Sequence, residues 1–185
     1  MEQDILIKLV AEQAAKVGAE VAIATLDKER KKDRRDMVDR RLRNTKLLLK
    51  NYRLFRAHAD NAVYEIEESI TPMQILEDLM MPGRDSSMIV ESVKNSVART
   101  VTLVRHIETM LKLYQAYCYM SGSEIEERRW RVIEALYITE PASTIPDLAK
   151  AEGVVDRVIY NDIDAASERI AALMFGVDGI KLKEG

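Results

Sequence analysis

The sequence is poor in the residues that interrupt helices. Only seven glycines and four prolines occur among its 185 residues. Because these two residues end or weaken most helical segments, their scarcity favours long helices. No segment shows the alternation of polar and apolar residues that is typical of strands, and no internal repeat stands out. The fold class predicted from these absences is all-α.

Residues that hold metals or carry out catalysis are equally scarce. Cys118 is the single cysteine, and His58 and His106 are the only histidines, so neither an internal disulfide nor a zinc site is expected. The sequence also lacks a phosphate-binding Walker loop, a dinucleotide-binding fingerprint and a nucleophile elbow. We therefore expect a protein without a cofactor, a metal ion or an enzymatic activity.

Long apolar runs and a secretion signal are missing as well. The longest uncharged stretches fall well short of the roughly 20 apolar residues that span a membrane, and no signal peptide opens the chain. With 47% hydrophobic and 32% charged residues, the composition is typical of a soluble globular protein. The expected location is a reducing cytoplasm, with no membrane partner.

What the sequence does contain is apolar residues at alternating steps of three and four, the spacing of one helix face. A first segment runs from Glu2 to about Thr25, and the charged run DKERKKDRRD follows it as a solvent-exposed continuation or a hinge. Two longer seams come next, formed by Val38, Leu42, Thr45, Leu49, Tyr52, Arg56, Ala59, Val63 and Ile66, and by Val93, Val97, Thr100, Val104, Ile107, Leu111, Tyr114 and Cys118.

These two seams predict a long, coiled-coil-like helical hairpin as the N-terminal domain, residues 1–120. A short helix is expected between them, because Thr71, Pro72 and Gln74 have the spacing of a capped helix start. The same seams could instead pair two chains into a homodimer, and periodicity alone does not choose between the two arrangements.

A second domain is predicted for residues 121–185, and helices are expected there over 124–138, 145–152 and 156–174. Ser123 and the residues that follow it have the pattern of a capping box. The stretch TIPDLAKAEGVVDRVIYNDI, residues 144–163, then has the order of features that is typical of a helix-turn-helix.

Three residues of that stretch carry the helix-turn-helix prediction. Thr144 can cap the first helix. Ala149 is small enough to let two crossing helices approach closely, and Gly153 suits a tight turn that needs positive φ. Helical hairpins without any role in DNA binding can share this pattern, so the function needs further evidence.

If the second helix enters a major groove, the outward side chains near its start must contact bases or phosphates. Arg157 could bind guanine, Asn161 adenine and Tyr160 a phosphate, whereas Asp156 and Asp164 oppose the phosphate charge. The preceding helix adds three arginines, which either contact the DNA backbone or form a solvated face paired with nearby glutamates: Arg128, Arg129 and Arg131, with Glu124, Glu126 and Glu127.

A basic stripe lies beside the first long seam. The net charge is only −3, yet residues 27–56 contain 13 Lys and Arg against 5 Asp and Glu. Within this block Arg43, Lys46, Lys50 and Arg53 follow steps of three, four and three, with no acidic residue between Asp39 and Asp60. Such a stripe could track a DNA backbone, dock on an acidic polymerase surface or simply keep a helix soluble.

The segments ERRWRVIEALYITE and TIPDLAKAEGVVDRVIYNDIDAASERIAALMFGVDGI resemble the ArpU family of phage and prophage regulators of Firmicutes. That family is similar to the promoter-reading region of sigma factors. RLRNTKLLLKNYRLF and ESVKNSVARTVTLVRHIETMLKLY also look like its N-terminal part, so the resemblance covers most of the chain from about residue 40. Relatives tend to read GVSRRTVYRDI, whereas Val155, Asp156 and Asn161 here replace a serine and two basic residues.

The resemblance implies a regulator of prophage genes that acts on promoter DNA together with host RNA polymerase, in a bacterial cytoplasm. Two interpretations from other classes remain. One is a phage assembly protein, similar to a small terminase subunit, that oligomerises through its helices. The other is a protein-interaction module whose degenerate helix-turn-helix does not contact DNA.

Overall fold

The computed structural model describes residues 2–60, 71–81, 88, 90 and 97–176, with side chains from residue 12 onward. Every regular element in these ranges is helical, and the all-α fold class is confirmed. Positions 63, 66 and 93 of the predicted seams, like the turn over residues 82–87, lie outside the described residues.

The helices are α1 (Glu2–Asp60), α2 (Pro72–Met80), α3 (Val97–Met120), α4 (Glu124–Ile133), α5 (Ile145–Ala151) and α6 (Asp156–Phe175). A single π-helical turn, Glu134–Ile138, continues α4. The helix expected over 124–138 is α4 together with this turn, and the bounds expected for the last two helices are confirmed to within one residue. The charged run after Asp27 is the predicted continuation and not a hinge, because α1 passes through it without a break.

The chain divides into two compact units, residues 1–39 and residues 40–185. In the first unit every described side chain from Glu12 to Met37 is exposed, including the apolar Val17 and Val21, at 55% and 60%. The domain boundary predicted between residues 120 and 121 falls inside the second unit. There, side chains from both sides of that position share one core.

The main core of the second unit joins the two long seams. Leu49 and Tyr52 of α1 are buried in the same cluster as Val104 and Ile107 of α3, which fits the predicted helical hairpin. The Tyr52 hydroxyl donates a hydrogen bond of 3.1 Å to Glu108 Oε1, so even the polar end of this core side chain has a partner. Arg56, where the seam is interrupted, is exposed.

The predicted capping boxes differ in outcome. At α2 the box is present: the Thr71 hydroxyl accepts a hydrogen bond from the Gln74 amide, and the Gln74 side chain accepts one from the Thr71 amide. At α4 the prediction is wrong, because the Ser123 side chain makes no cap hydrogen bond. Glu126, which should have completed that box, is buried and paired with Arg129 instead.

A smaller core holds the C-terminal helices together. Leu148 and Ala149 of α5 pack with Ile159 and Ile163 of α6 and with Val132 of α4. Further along α6, the main core contains Ala166, Ile170, Met174 and Phe175. Helix α6 therefore contributes its inner face to both clusters, and its remaining face is left for solvent.

A matched pair of leucines on α3 tests this core. Leu111→Ala should lower the free energy of unfolding by about 2–5 kcal/mol, since it deletes a fully packed side chain. Leu113→Ala should change it by less than about 0.5 kcal/mol, because Leu111 is 3% exposed and Leu113 is 51% exposed. Urea unfolding followed by the fluorescence of Trp130, the single tryptophan, measures both. Equal losses for the two variants would contradict the packing.

Candidate nucleic-acid interface

Helix α5 begins and ends as the sequence predicts. The Thr144 hydroxyl accepts a hydrogen bond of 3.3 Å from the Asp147 amide, and a proline lies in the first turn. Gly153 has a φ of 66°, a conformation that glycine adopts without the strain that a Cβ introduces. The Val154 amide then donates to the Ala149 carbonyl at 2.9 Å. The result is a tight turn that sends the chain directly into α6.

The outward face of α6 carries the residues that were predicted to contact DNA. Asp156, Arg157, Tyr160 and Asn161 are all exposed, with Tyr160 at 57%. Arg157, Tyr160, Asn161 and Asp164 follow steps of three, one and three, so they share one face of the helix. The opposite face of the helix, which includes Ile159, Ile163 and Ala166, is buried.

The N-cap of α6 is Val155, which is 68% exposed and offers no side-chain acceptor. The start of the helix thus lacks the side-chain cap that α2 and α5 possess. The first two residues of the helix, Asp156 and Arg157, are exposed, whereas Ile159 in the same turn is buried.

A buried carboxylate joins α6 to α4. The side chain of Asp162 is 4% exposed, and Arg128 Nε donates to it at 2.7 Å. Arg129 Nε lies 3.5 Å from its other oxygen. A buried charge of this kind is tolerated only when it is paired. The two arginines therefore fix the rotation of α6 about its own axis, which decides the residues that it presents to solvent.

A second ion pair holds the turn. Arg131 donates from Nε and Nη2 to the two carboxylate oxygens of Glu152, at 2.9 and 2.8 Å, and also to Glu124 at 2.7 Å. Glu152 ends α5 and directly precedes Gly153. The hydrogen bonds from Arg131 hold the pKa of Glu152 below its ordinary value. This bidentate contact attaches the turn to α4.

The three arginines predicted to contact the DNA backbone thus have carboxylate partners inside the unit. Of the glutamates that the alternative interpretation named, Glu124 and Glu126 do pair with them, whereas Glu127 is not among their partners. Contact of Arg128, Arg129 and Arg131 with phosphates stays a prediction; in the structure they position α6 and the turn. Their main partners, Asp162 and Glu152, were not singled out from the sequence.

The helical period of α6 could have revealed one of these partners. Its buried apolar stripe consists of Ile159, Ile163, Ala166 and Ile170. Asp162 lies one position before Ile163, on the inward side of the helix. A charged residue at an inward position needs a partner of opposite charge, and the nearest arginine-rich segment is α4. Glu152 does not lie at an inward position of a predicted apolar stripe, so the sequence did not mark it as a partner.

The basic stripe of α1 is used in two different ways. Lys46 Nζ donates to Asp164 Oδ1 of α6 at 2.7 Å. Arg53 Nη2 donates to the Leu136 and Thr139 carbonyls at 2.9 and 2.6 Å, at the end of the π-helical turn. Arg43 and Lys50 are exposed. The stripe therefore supports the C-terminal helices with two of its residues and presents the other two to solvent.

No family model, curated protein or solved structure matches this chain. Within the described ranges, no helix combines the length and the apolar character needed to cross a membrane. The same residues contain no group of three or more His, Cys, Asp or Glu arranged to hold a metal ion. The geometry of the C-terminal helices is therefore the main guide to function.

Two aspartates on α6 test the buried ion pairs. Asp162→Asn should lower the free energy of unfolding by about 3–5 kcal/mol, because it leaves Arg128 without its buried counter-charge and removes one of the two carboxylates near Arg129. Asp164→Asn, two residues further on, removes a carboxylate that is 63% exposed and should cost less than about 1 kcal/mol. Chemical denaturation at neutral pH measures both. A cost below 1 kcal/mol for Asp162→Asn would show that the pair does not hold α6.

The Arg131–Glu152 pair should make stability depend on pH. A carboxyl whose pKa is lowered in the folded state contributes stability above its unfolded pKa, near 4.3, and loses it as the pH falls below that value. Glu152→Gln should therefore cost about 1.5–3 kcal/mol at pH 7, and the difference from wild type should shrink as the pH falls below about 4.

The control for this effect is Glu124→Gln, which removes the exposed partner of the same arginine. Its cost at pH 7 should be below about 1 kcal/mol. Urea midpoints measured from pH 7 to pH 3 separate the two variants. A difference between wild type and Glu152→Gln that stays constant over this range would rule out the linkage.

Proposed function

We propose that this protein is a DNA-binding transcription regulator that reads its site with α6. The observation that carries the proposal is the geometry around Gly153: a capped helix, a tight turn, and a second helix whose early side chains are exposed on one face. This is the arrangement that places a recognition helix in a major groove. The ion pairs to α4 hold that helix in one orientation.

The side chains on this face have the chemistry of base readout. Arg157 can donate two hydrogen bonds to guanine, and Asn161 can pair with adenine through its amide. They lie one helical turn apart, about 6 Å along the axis, which corresponds to about two base-pair steps of 3.4 Å. Tyr160 lies between them in sequence and can donate its hydroxyl to a phosphate oxygen.

Asp156 can add to the specificity of this face, but it lowers the affinity for DNA. A carboxylate repels phosphates, but it can accept a hydrogen bond from the amino group of cytosine. With Asp156 beside Arg157, the start of α6 has no net positive charge. Binding through this helix alone should be weak, so a second contact or a second protein is needed for tight binding.

The resemblance to the ArpU family suggests that the second protein is host RNA polymerase and that the regulated genes are those of a prophage. A sigma-like regulator bound to polymerase does not need high intrinsic affinity, because the complex supplies most of the contacts. This agrees with the mixed charge of α6. The proposal for the genes and for polymerase depends on that resemblance.

A second copy of the chain is a further proposed partner. Exposed apolar side chains follow α1 in the first unit, at Ala14, Val17 and Val21, with the three-four spacing of a coiled-coil seam. Pairing of two such segments would give a dimer with two recognition helices. A dimer reads two half-sites, which compensates for weak contacts at each one.

Selection of duplexes from a random 20-base-pair pool, followed by sequencing, tests the DNA-binding function. The wild type should enrich a short motif that contains guanine and adenine about two steps apart. Arg157→Ala and Asn161→Ala should each lower affinity for that motif by about 5- to 150-fold, equivalent to 1–3 kcal/mol, while helical content is unchanged.

The matched controls lie on α3. Arg105→Ala and Tyr119→Ala remove an exposed arginine and a tyrosine that is 52% exposed, and both should leave the motif and the affinity unchanged. Tyr160→Ala should weaken binding to all sequences alike. Failure of the wild type to enrich any motif, or an Arg157→Glu variant that selects the same motif, would overturn the proposal in favour of an assembly or protein-interaction role.

A further inference from the structure

The basic stripe of α1 meets the exposed face of α6 at one contact. Lys46 Nζ and Asp164 Oδ1 are 2.7 Å apart. The two residues are separated by 118 positions in the sequence. Two features that the sequence presents as independent, a charged stripe and a helix-turn-helix, are therefore adjacent parts of one unit.

Helical spacing shows which other residues of α6 and of α1 lie near the contact between Lys46 and Asp164. On α6, Asp164 ends the face that begins with Arg157, about 10 Å away along the helix axis. On α1, Arg43 lies three residues before Lys46 and Lys50 lies four residues after it, so each is about one turn from the contact. Both are exposed. The stripe thus continues the surface that α6 presents.

The charges on this shared surface favour phosphate. Lys46 pairs with Asp164 and so neutralises the carboxylate at this end of α6. Neither Arg43 nor Lys50 forms an ion pair with any residue that the structure describes. No acidic residue occurs between Asp39 and Asp60. Arg43 and Lys50 are therefore two exposed cations near α6 whose charge no described residue neutralises through an ion pair.

We propose that Arg43 and Lys50 bind the phosphodiester backbone of the same duplex whose major groove receives α6. This inference rests on the proposed function. A recognition helix contacts base edges with its N-terminal residues, so the elements packed beside its later residues come near the phosphates that line the groove. Lys46 is in contact with Asp164, and Arg43 and Lys50, one turn of α1 to either side, would then lie near those phosphates. The stripe supplies the affinity that the mixed charge of α6 lacks.

The test is the salt dependence of binding to a fluorescein-labelled, mixed-sequence 25-base-pair duplex. Each phosphate contact contributes about 0.9 to the slope of log affinity against log salt. Arg43→Ala with Lys50→Ala should therefore reduce the slope by about 1.8, so the variant's affinity falls about 12-fold less than that of the wild type between 50 and 200 mM salt. A charge-preserving variant, Arg43→Lys with Lys50→Arg, should keep the wild-type slope.

Helix α3 offers the matched control, because Arg105 and Lys112 are exposed and have the same seven-residue spacing. Their double alanine variant removes the same charge and should leave the slope unchanged. An equal reduction with this control would mean that only net charge matters, and would overturn the inference. Circular dichroism of all variants should match the wild type, since every substituted side chain is exposed.

The outcomes distinguish this inference from the proposed function. Loss of motif selection in Arg157→Ala together with an unchanged slope in the Arg43 and Lys50 variant would overturn the inference and leave the function standing. The Arg43→Ala, Lys50→Ala variant could instead bind DNA normally and no longer co-purify with bacterial RNA polymerase. That result would assign the stripe to a protein partner and would also overturn the inference. A reduced slope without any motif selection would support the stripe contact and reject base reading by α6.

Discussion

The buried carboxylate of Asp162 is the interaction on which the candidate interface depends. A helix with a broad apolar face can rotate by several degrees against its neighbours at little cost, because hydrophobic packing is not directional. An aspartate that is 4% exposed and contacted by Arg128 and Arg129 removes that freedom, since any rotation that breaks the pair leaves charges buried without partners. The exposed residues of α6 are thereby defined as a fixed set.

The turn before α6 adds a second constraint of a different kind. Gly153 and the cap at Thr144 are local devices that set the angle between two helices. The bidentate pair from Arg131 to Glu152 is a long-range contact, and it attaches the turn between α5 and α6 to α4. Arginine suits this role because its planar guanidinium matches both oxygens of a carboxylate. The same α4 segment, ERRWR, thus orients both the turn and the helix that follows it.

Most local features were predictable from the sequence, with the cap at Ser123 as an exception, whereas the long-range ion pairs were not predicted. The bounds of α5 and α6, the caps at Thr71 and Thr144 and the turn at Gly153 depend on residues within a few positions of one another. The partners of Arg128 and Lys46 lie 34 and 118 positions away, and periodicity can mark a charged residue as inward-facing but does not identify the residue with which it pairs. From the sequence, every arginine and lysine near the helix-turn-helix was therefore an equally good candidate for DNA contact. In the fold, some of them pair with carboxylates of the same chain and others are exposed.

In the proposed complex with DNA, specificity and affinity are divided between two helices. Bases are distinguished by hydrogen bonds, which tolerate a carboxylate such as Asp156, whereas affinity for phosphates depends mainly on positive charge. A recognition helix that carried both tasks would need basic residues at the positions where Asp156 and Asn161 now lie. Because Lys46 brings a basic stripe from a distant part of the chain to the edge of α6, that helix can carry neutral and acidic side chains without losing the electrostatic attraction of the surface. A chain with a net charge of −3 can then present a locally positive face to a polyanion, provided that the arrangement around Asp162 and Lys46 is kept.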